Sequence, residues 1–108
     1  MFLAVEPINR YETFLINNGD QGLRFVSDVW LRATKLHLDT FHTNIEEKDP
    51  AEAIRKAGEL SVNVHIADSN RDAEGYGHTD FEETMRAFAS TRKRYRTLCQ
   101  KLRSECPR

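Results

Sequence analysis

Nothing in this chain of 108 residues approaches the run of about 20 apolar residues that crosses a membrane. The opening Phe2 to Val5 lacks the charged flank and the length of a secretory signal, so a cytoplasmic protein with no membrane partner is expected. Cysteine is scarce. Cys99 and Cys106 have six residues between them and no histidine nearby, which excludes a zinc-ligand spacing, and without an export signal a disulfide is not expected. Gly75 and Gly77 have no lysine at P-loop spacing and read as a turn, not a phosphate cradle. Internal repeats and low-complexity segments are absent as well.

What is present is an ordinary globular composition, 39% hydrophobic and 31% charged, in a length that buries one modest core. The net charge of -1 conceals an asymmetry: residues 90–108 hold seven Lys or Arg against Glu105 alone, +6 in all, and the rest of the chain carries -7. Such a tail can bind nucleic acid. A tail of different origin from the body is the simpler reading, and nucleic acid is not the expected partner. Tyr95, Leu98 and Leu102 keep only a weak helical spacing, so residues 90–108 are read as helix or disorder.

Residues 1–89 alternate between two kinds of pattern. Phe2-Leu3-Ala4-Val5, Leu36-His37-Leu38-Asp39 and Val62-Asn63-Val64-His65 are apolar runs too short for helices and suit buried strands. Between them, Leu23, Val26, Val29 and Trp30 recur at helical spacing after the turn Asn17 to Asp20. Asp49-Pro50-Ala51-Glu52 then opens a helix that Gly58 closes. A third helix is expected after Thr79 and Glu82 as a capping pair, with Phe81, Met85 and Phe88 buried. Strand and helix in alternation imply a parallel sheet covered by helices, here with three strands.

Each strand ends in a polar residue. Glu6, Asp39 and His65 follow Val5, Leu38 and Val64, so if the apolar neighbours face the helices, the polar residues face the other way. Two carboxylates and an imidazole gathered there call for a cation, and mixed oxygen and nitrogen donors suit Mn²⁺, Co²⁺ or Mg²⁺. Taken singly, Asp39 reads as a cap for the next segment and His65 as a satisfied core histidine. An unpaired Glu6 on an apolar strand has no such bland explanation.

Three stretches, Val5 to Glu12, Leu38 to Glu47 and His65 to Arg71, resemble in order and spacing the motifs of the ketose 3-epimerases. These are the tagatose and psicose type within the xylose-isomerase-like sugar isomerase and epimerase superfamily. The resemblance covers residues 2 to 88. It implies an α/β fold, the C-terminal portion of a (β/α)₈ TIM barrel in which this chain supplies strands five to seven with their helices. It implies Glu6, Asp39 and His65 as metal ligands, with Glu6 also a catalytic acid/base. Glu12, His42 and Arg71 are implied as contacts to a small ketose substrate. His37 receives no role from it.

The implied reaction removes the proton beside the ketose carbonyl, passes through a cis-enediolate and returns a proton to the opposite face. Strands one to four, and a second catalytic glutamate on strand eight, have no counterpart in the sequence. Activity is therefore an open expectation, and a weakly active or inactive portion of an epimerase is the leading reading. The competing reading is a non-catalytic interaction fragment that self-associates as a homo-oligomer or pairs with a chain supplying the missing strands. Other assignments also stand: His42 and Arg71 as surface loop residues, Glu12 as a partner of Arg10, and Glu46 and Glu47 as a solvated face. A multi-metal endonuclease is disfavoured, since four histidines are few for such a site.

Overall fold

The computed structural model describes residues 1–91 and, as backbone, residues 96–99. Strand β1 (Leu3–Val5) leads through a polar loop to helix α1 (Gly19–Val29), and β2 (Thr34–Asp39) follows. Two helices come next, α2 (Thr40–Glu46) and α3 (Pro50–Ala57), then a short 3₁₀ turn at Gly58–Leu60 and β3 (Ser61–Ile66). Helix α4 (Phe81–Ser90) and β4 (Arg96–Cys99) complete the order. The strands lie side by side in sequence order, every neighbouring pair parallel. Among the described residues no helix is long and apolar enough to cross a membrane.

Local chemistry explains the helix ends. Asn18 caps α1 by accepting from the Gln21 N–H, and Gln21 returns the bond to the cap backbone. Asp49 caps α3 with Pro50 in its first turn, and Gly58, at φ 49°, ends it as expected. One face of the sheet buries Leu36, Leu38, Val64 and Ile66 against Val26, Ala51, Ile54, Ala57, Ala87 and Phe88. Gly22 lets α1 approach this face: a Cβ there would stand 2.8 Å from Leu36 Cδ2 and 3.1 Å from Pro7 Cγ.

The opposite face carries the polar alternates His37, Asp39, Asn63 and His65. A register shift between Leu36 and His37 puts His37 opposite Asn63 and Asp39 opposite His65. Without it the site-facing residues of β2 would meet the core-facing residues of β3, because side chains alternate every residue. The irregularity therefore aligns the polar face.

Three parallel strands alternate with helices as the sequence predicts, but several details differ. Residues 96–99 form a fourth strand rather than helix or disorder. The outer edge of β3 offers backbone groups from Asn63 to Ile66 that this strand pairs, and a four-residue run has no legible period. The rest of the basic tail, 92–95 and 100–108, lies outside the described residues. Helix α4 is capped by Asp80, not Thr79, and it buries Thr84, Ala87 and Phe88 while Met85 is exposed. Trp30, expected on the packing stripe of α1, stands 91% exposed as its left-handed C-cap. Helix α2 has no signal in the sequence beyond Asp39, whose carboxylate starts it.

Candidate metal and sugar site

Parallel strands end together, so Glu6, Asp39 and His65 arrive at one end of the sheet. Asp39 is fully buried. Its Oδ1 accepts from the Phe41 N–H at 2.8 Å, capping α2, while Oδ2 has no hydrogen-bond partner and lies 3.7 Å from His65 Nδ1. That imidazole nitrogen is equally buried and unpartnered. Oδ1 thus takes the cap role that the sequence offers, and Oδ2 is left over.

Glu6 stands between two overlapping groups of possible donors. In one it joins His37 and His65, in the other Asp39 and His42, and within each group the candidate atoms lie no more than 4.8 Å apart. Its Oε1 is 3.9 Å from Nε2 of both His37 and His42. Burial, then the negative charge of Asp39, pushes the Glu6 carboxyl up to about 7. Burial raises Asp39 as well and lowers His42, and it brings His37 down to about 4, aided by His65 and His42. At neutral pH these two imidazoles are therefore neutral. Buried, unpartnered Asp39 Oδ2, His65 Nδ1 and His37 Nε2 are costly unless something completes them, and a divalent cation fits this mixed donor set.

The rim is built by residues from two loops and the start of α2. Glu12 accepts from Asn9 Nδ2 at 2.6 Å and from Arg71 Nη1 at 3.2 Å. Burial works to raise the Glu12 carboxyl, but these two donors outweigh it and hold the group below its ordinary value. Arg71 sits at φ 66°, a left-handed conformation rare for arginine, with its guanidinium 4.7 Å from the centre of the Phe41 ring. His42 is 3% exposed, which removes the surface reading, and its Nδ1 accepts from the Asn9 backbone N–H at 3.2 Å. A neutral ring so engaged carries its proton on Nε2, the nitrogen that faces Glu6.

Five residues do more than their sequence context signals. Asn9, buried, serves both His42 and Glu12 and binds the Tyr11 N–H through Oδ1. Only its place beside a charged loop hints at this. Arg10 does not pair with Glu12; it makes a two-pronged bond to Glu46, whose side chain is 5% exposed. Glu47 accepts from the Gly19 N–H at 2.6 Å, so Glu46 and Glu47 are tertiary partners and not a solvated face. Asp68 takes four backbone N–H bonds, from Ser69, Gly75, Gly77 and Thr79, which pin the loop behind Arg71. Although burial opposes it, these bonds hold the Asp68 carboxyl far below the usual range. A Cβ on Gly77 would collide with that carboxylate.

Comparison with known proteins gives a consistent result. The family model of the xylose isomerase-like TIM barrel matches residues 1–101. An L-ribulose 3-epimerase of Mesorhizobium japonicum is 47% identical over 88 residues, 82% of this chain and 30% of that protein. A D-psicose 3-epimerase of Enterocloster bolteae is 39% identical over 86 residues, 80% of this chain and 29% of that protein. Among solved structures, one of an L-ribulose 3-epimerase superposes with a TM-score of 0.91 at 38% identity, covering 96% of this chain and 35% of the other. The chain thus spans about 30% of the length of the curated relatives it matches.

Proposed function

Since this chain belongs to the xylose isomerase-like TIM barrel family, we propose that it carries the metal-binding part of a ketose 3-epimerase site. The observation that carries this is the meeting of Asp39 Oδ2 and His65 Nδ1, both buried and unpartnered, beside Glu6 at the carboxyl end of the sheet. Relatives named as D-psicose and L-ribulose 3-epimerases support a free ketose as the substrate class.

Glu6, Asp39 and His65 would hold the ion, Mn²⁺, Co²⁺ or Mg²⁺. When bound, it supplies Lewis-acid polarisation of the ketose carbonyl, which acidifies the neighbouring C–H. Glu6 takes that proton; burial and the Asp39 charge lift its carboxyl in the metal-free chain, and the positive charge of a bound ion would draw it back down, so that it stands ionised as a base at neutral pH. The product of this step is a cis-enediolate. His42 presents Nε2–H, and the Arg71 guanidinium presents its donors, so both donate to sugar oxygens. Glu12, fixed by Asn9 and Arg71, accepts from a hydroxyl. Return of a proton to the opposite face requires a second acid in addition to Glu6.

Incubation of the purified chain with Mn²⁺ and a ketohexose in D₂O tests this reading. Deuterium entering carbon 3 above the level of a Glu6→Gln control is expected. Equal, background-level incorporation in both would overturn catalysis by Glu6 in this chain, and failure of the chain to bind Mn²⁺ would overturn the metal-site reading itself.

A further inference from the structure

Glu6, Asp39 and His65 offer an ion two oxygens and one nitrogen, whereas transition ions take four donors or more. Two other imidazoles are within reach, since Nε2 of His37 and of His42 each lies 3.9 Å from Glu6 Oε1. Their hydrogen bonds separate them. His42 Nδ1 accepts from a backbone N–H, which cannot be reversed, so its Nε2 carries the proton and has no lone pair to give.

His37 is under no such restriction. Its Nδ1 lies 3.2 Å from the terminal amide of Asn63, a group that offers either its nitrogen or, after a half turn, its oxygen. With the oxygen turned inward, the ring is held as the Nδ1–H tautomer and the Nε2 lone pair is free. A second polar group that fixes the far nitrogen is the usual arrangement behind a ligating histidine. Nε2 is buried with no hydrogen-bond partner, and it belongs with Glu6 and His65 to a group whose donor atoms lie within 4.8 Å of one another. The rings of His37 and His65 meet edge to face at 4.0 Å between centroids, so the two imidazoles are direct neighbours.

We propose that His37 is a further metal ligand, set in its tautomer by Asn63, and that the added nitrogen makes the site select Co²⁺ or Zn²⁺ over Mn²⁺ and Mg²⁺. The preference follows from imidazole favouring the later divalent ions, whereas carboxylates alone suit Mn²⁺ and Mg²⁺. This rests on the reading of Glu6, Asp39 and His65 as a metal centre.

The test is a titration of the metal-free full chain with Co²⁺, followed by visible absorption, and with Mn²⁺, followed by calorimetry, each repeated for His37→Gln. The variant should lose about tenfold or more in Co²⁺ affinity and show shifted, altered cobalt bands, with Mn²⁺ affinity changing about threefold or less. A second measurement needs no variant and so survives a failure of His37→Gln to fold. On addition of Zn²⁺ to wild-type chain, the ¹⁵N shifts of His37 should show a ligated Nε2 and a protonated Nδ1. An unchanged cobalt spectrum and affinity in a folded His37→Gln, or a His37 Nε2 that keeps its proton in the zinc-loaded chain, overturns the role of His37 alone. A wild-type chain that binds neither ion overturns the metal-centre reading and this inference with it.

Discussion

Replacing Glu6 by glutamine should stabilise the metal-free chain at pH 8. In the folded chain, burial and the Asp39 charge lift the Glu6 carboxyl from 4.5 to about 7. Between those values the folded state keeps a proton that the unfolded state has released, so rising pH favours unfolding. The contribution is full below about pH 4.5 and is lost as pH rises through about 7. The whole shift corresponds to about 3 kcal/mol. The side chain is 28% exposed, and solvent screening at that surface reduces the expected figure to about 1 to 2 kcal/mol. An amide bears no charge and escapes the loss. The two proteins should therefore differ little at pH 4 and diverge up to pH 8, with the glutamine variant the more stable. His37, lowered to about 4, acts in the opposite direction, since its stability contribution grows from pH 4 to about 6.5. The wild-type profile thus mixes opposing contributions, those of Asp39 and His42 among them, and the difference between variants is the informative quantity. Urea unfolding followed by circular dichroism, in chelator at unit steps of pH, measures it. A difference that does not vary with pH, or a glutamine variant less stable at pH 8, would refute the placement of Glu6 in a buried acidic cluster.

Other perturbations probe the scaffold. Gly22→Ala should cost about 1 to 3 kcal/mol, because its Cβ would press on Leu36 and Pro7; an unchanged urea midpoint would deny the close approach of α1 to β2. Asp68→Asn removes a carboxylate that accepts four backbone N–H bonds and should cost about 3 kcal/mol at pH 7. Because the Asp68 carboxyl is depressed, its contribution is present above about pH 4 and fades below it, so the gap between variant and wild type should narrow in acid. Arg71→Gly should be about 1 kcal/mol less destabilising than Arg71→Ala, since both lose the Glu12 pair but only glycine relieves the strain at φ 66°. Equal thermal midpoints would show that residue 71 stores no such strain.

Elements whose instructions are local were legible in the sequence. Asp49, Pro50 and Gly58 bracket α3 with three residues, and the alternation of Leu36, His37, Leu38 and Asp39 assigns both faces of β2. What was not legible depends on partners distant along the chain. Thr79 looks like a cap, yet its N–H serves Asp68, and capping passes to Asp80. Glu46 and Glu47 resemble a solvated pair until Arg10 and Gly19 are brought beside them by the fold. The alternation puts His37 on the face of Asp39, a layer below it as core or as support behind the site, but its neighbours there, Asn63 and His65, come from the register that β3 adopts. The strand at 96–99 is defined by the edge it pairs with and not by its own composition.

Isothermal titration of the metal-free chain with Mn²⁺, set against Asp39→Asn and His65→Asn, tests the central claim most directly. One binding site in the wild-type chain, lost or weakened at least about tenfold in both variants while they remain folded, is the predicted result. No binding by the wild-type chain, or binding that survives intact in either variant, would contradict the account.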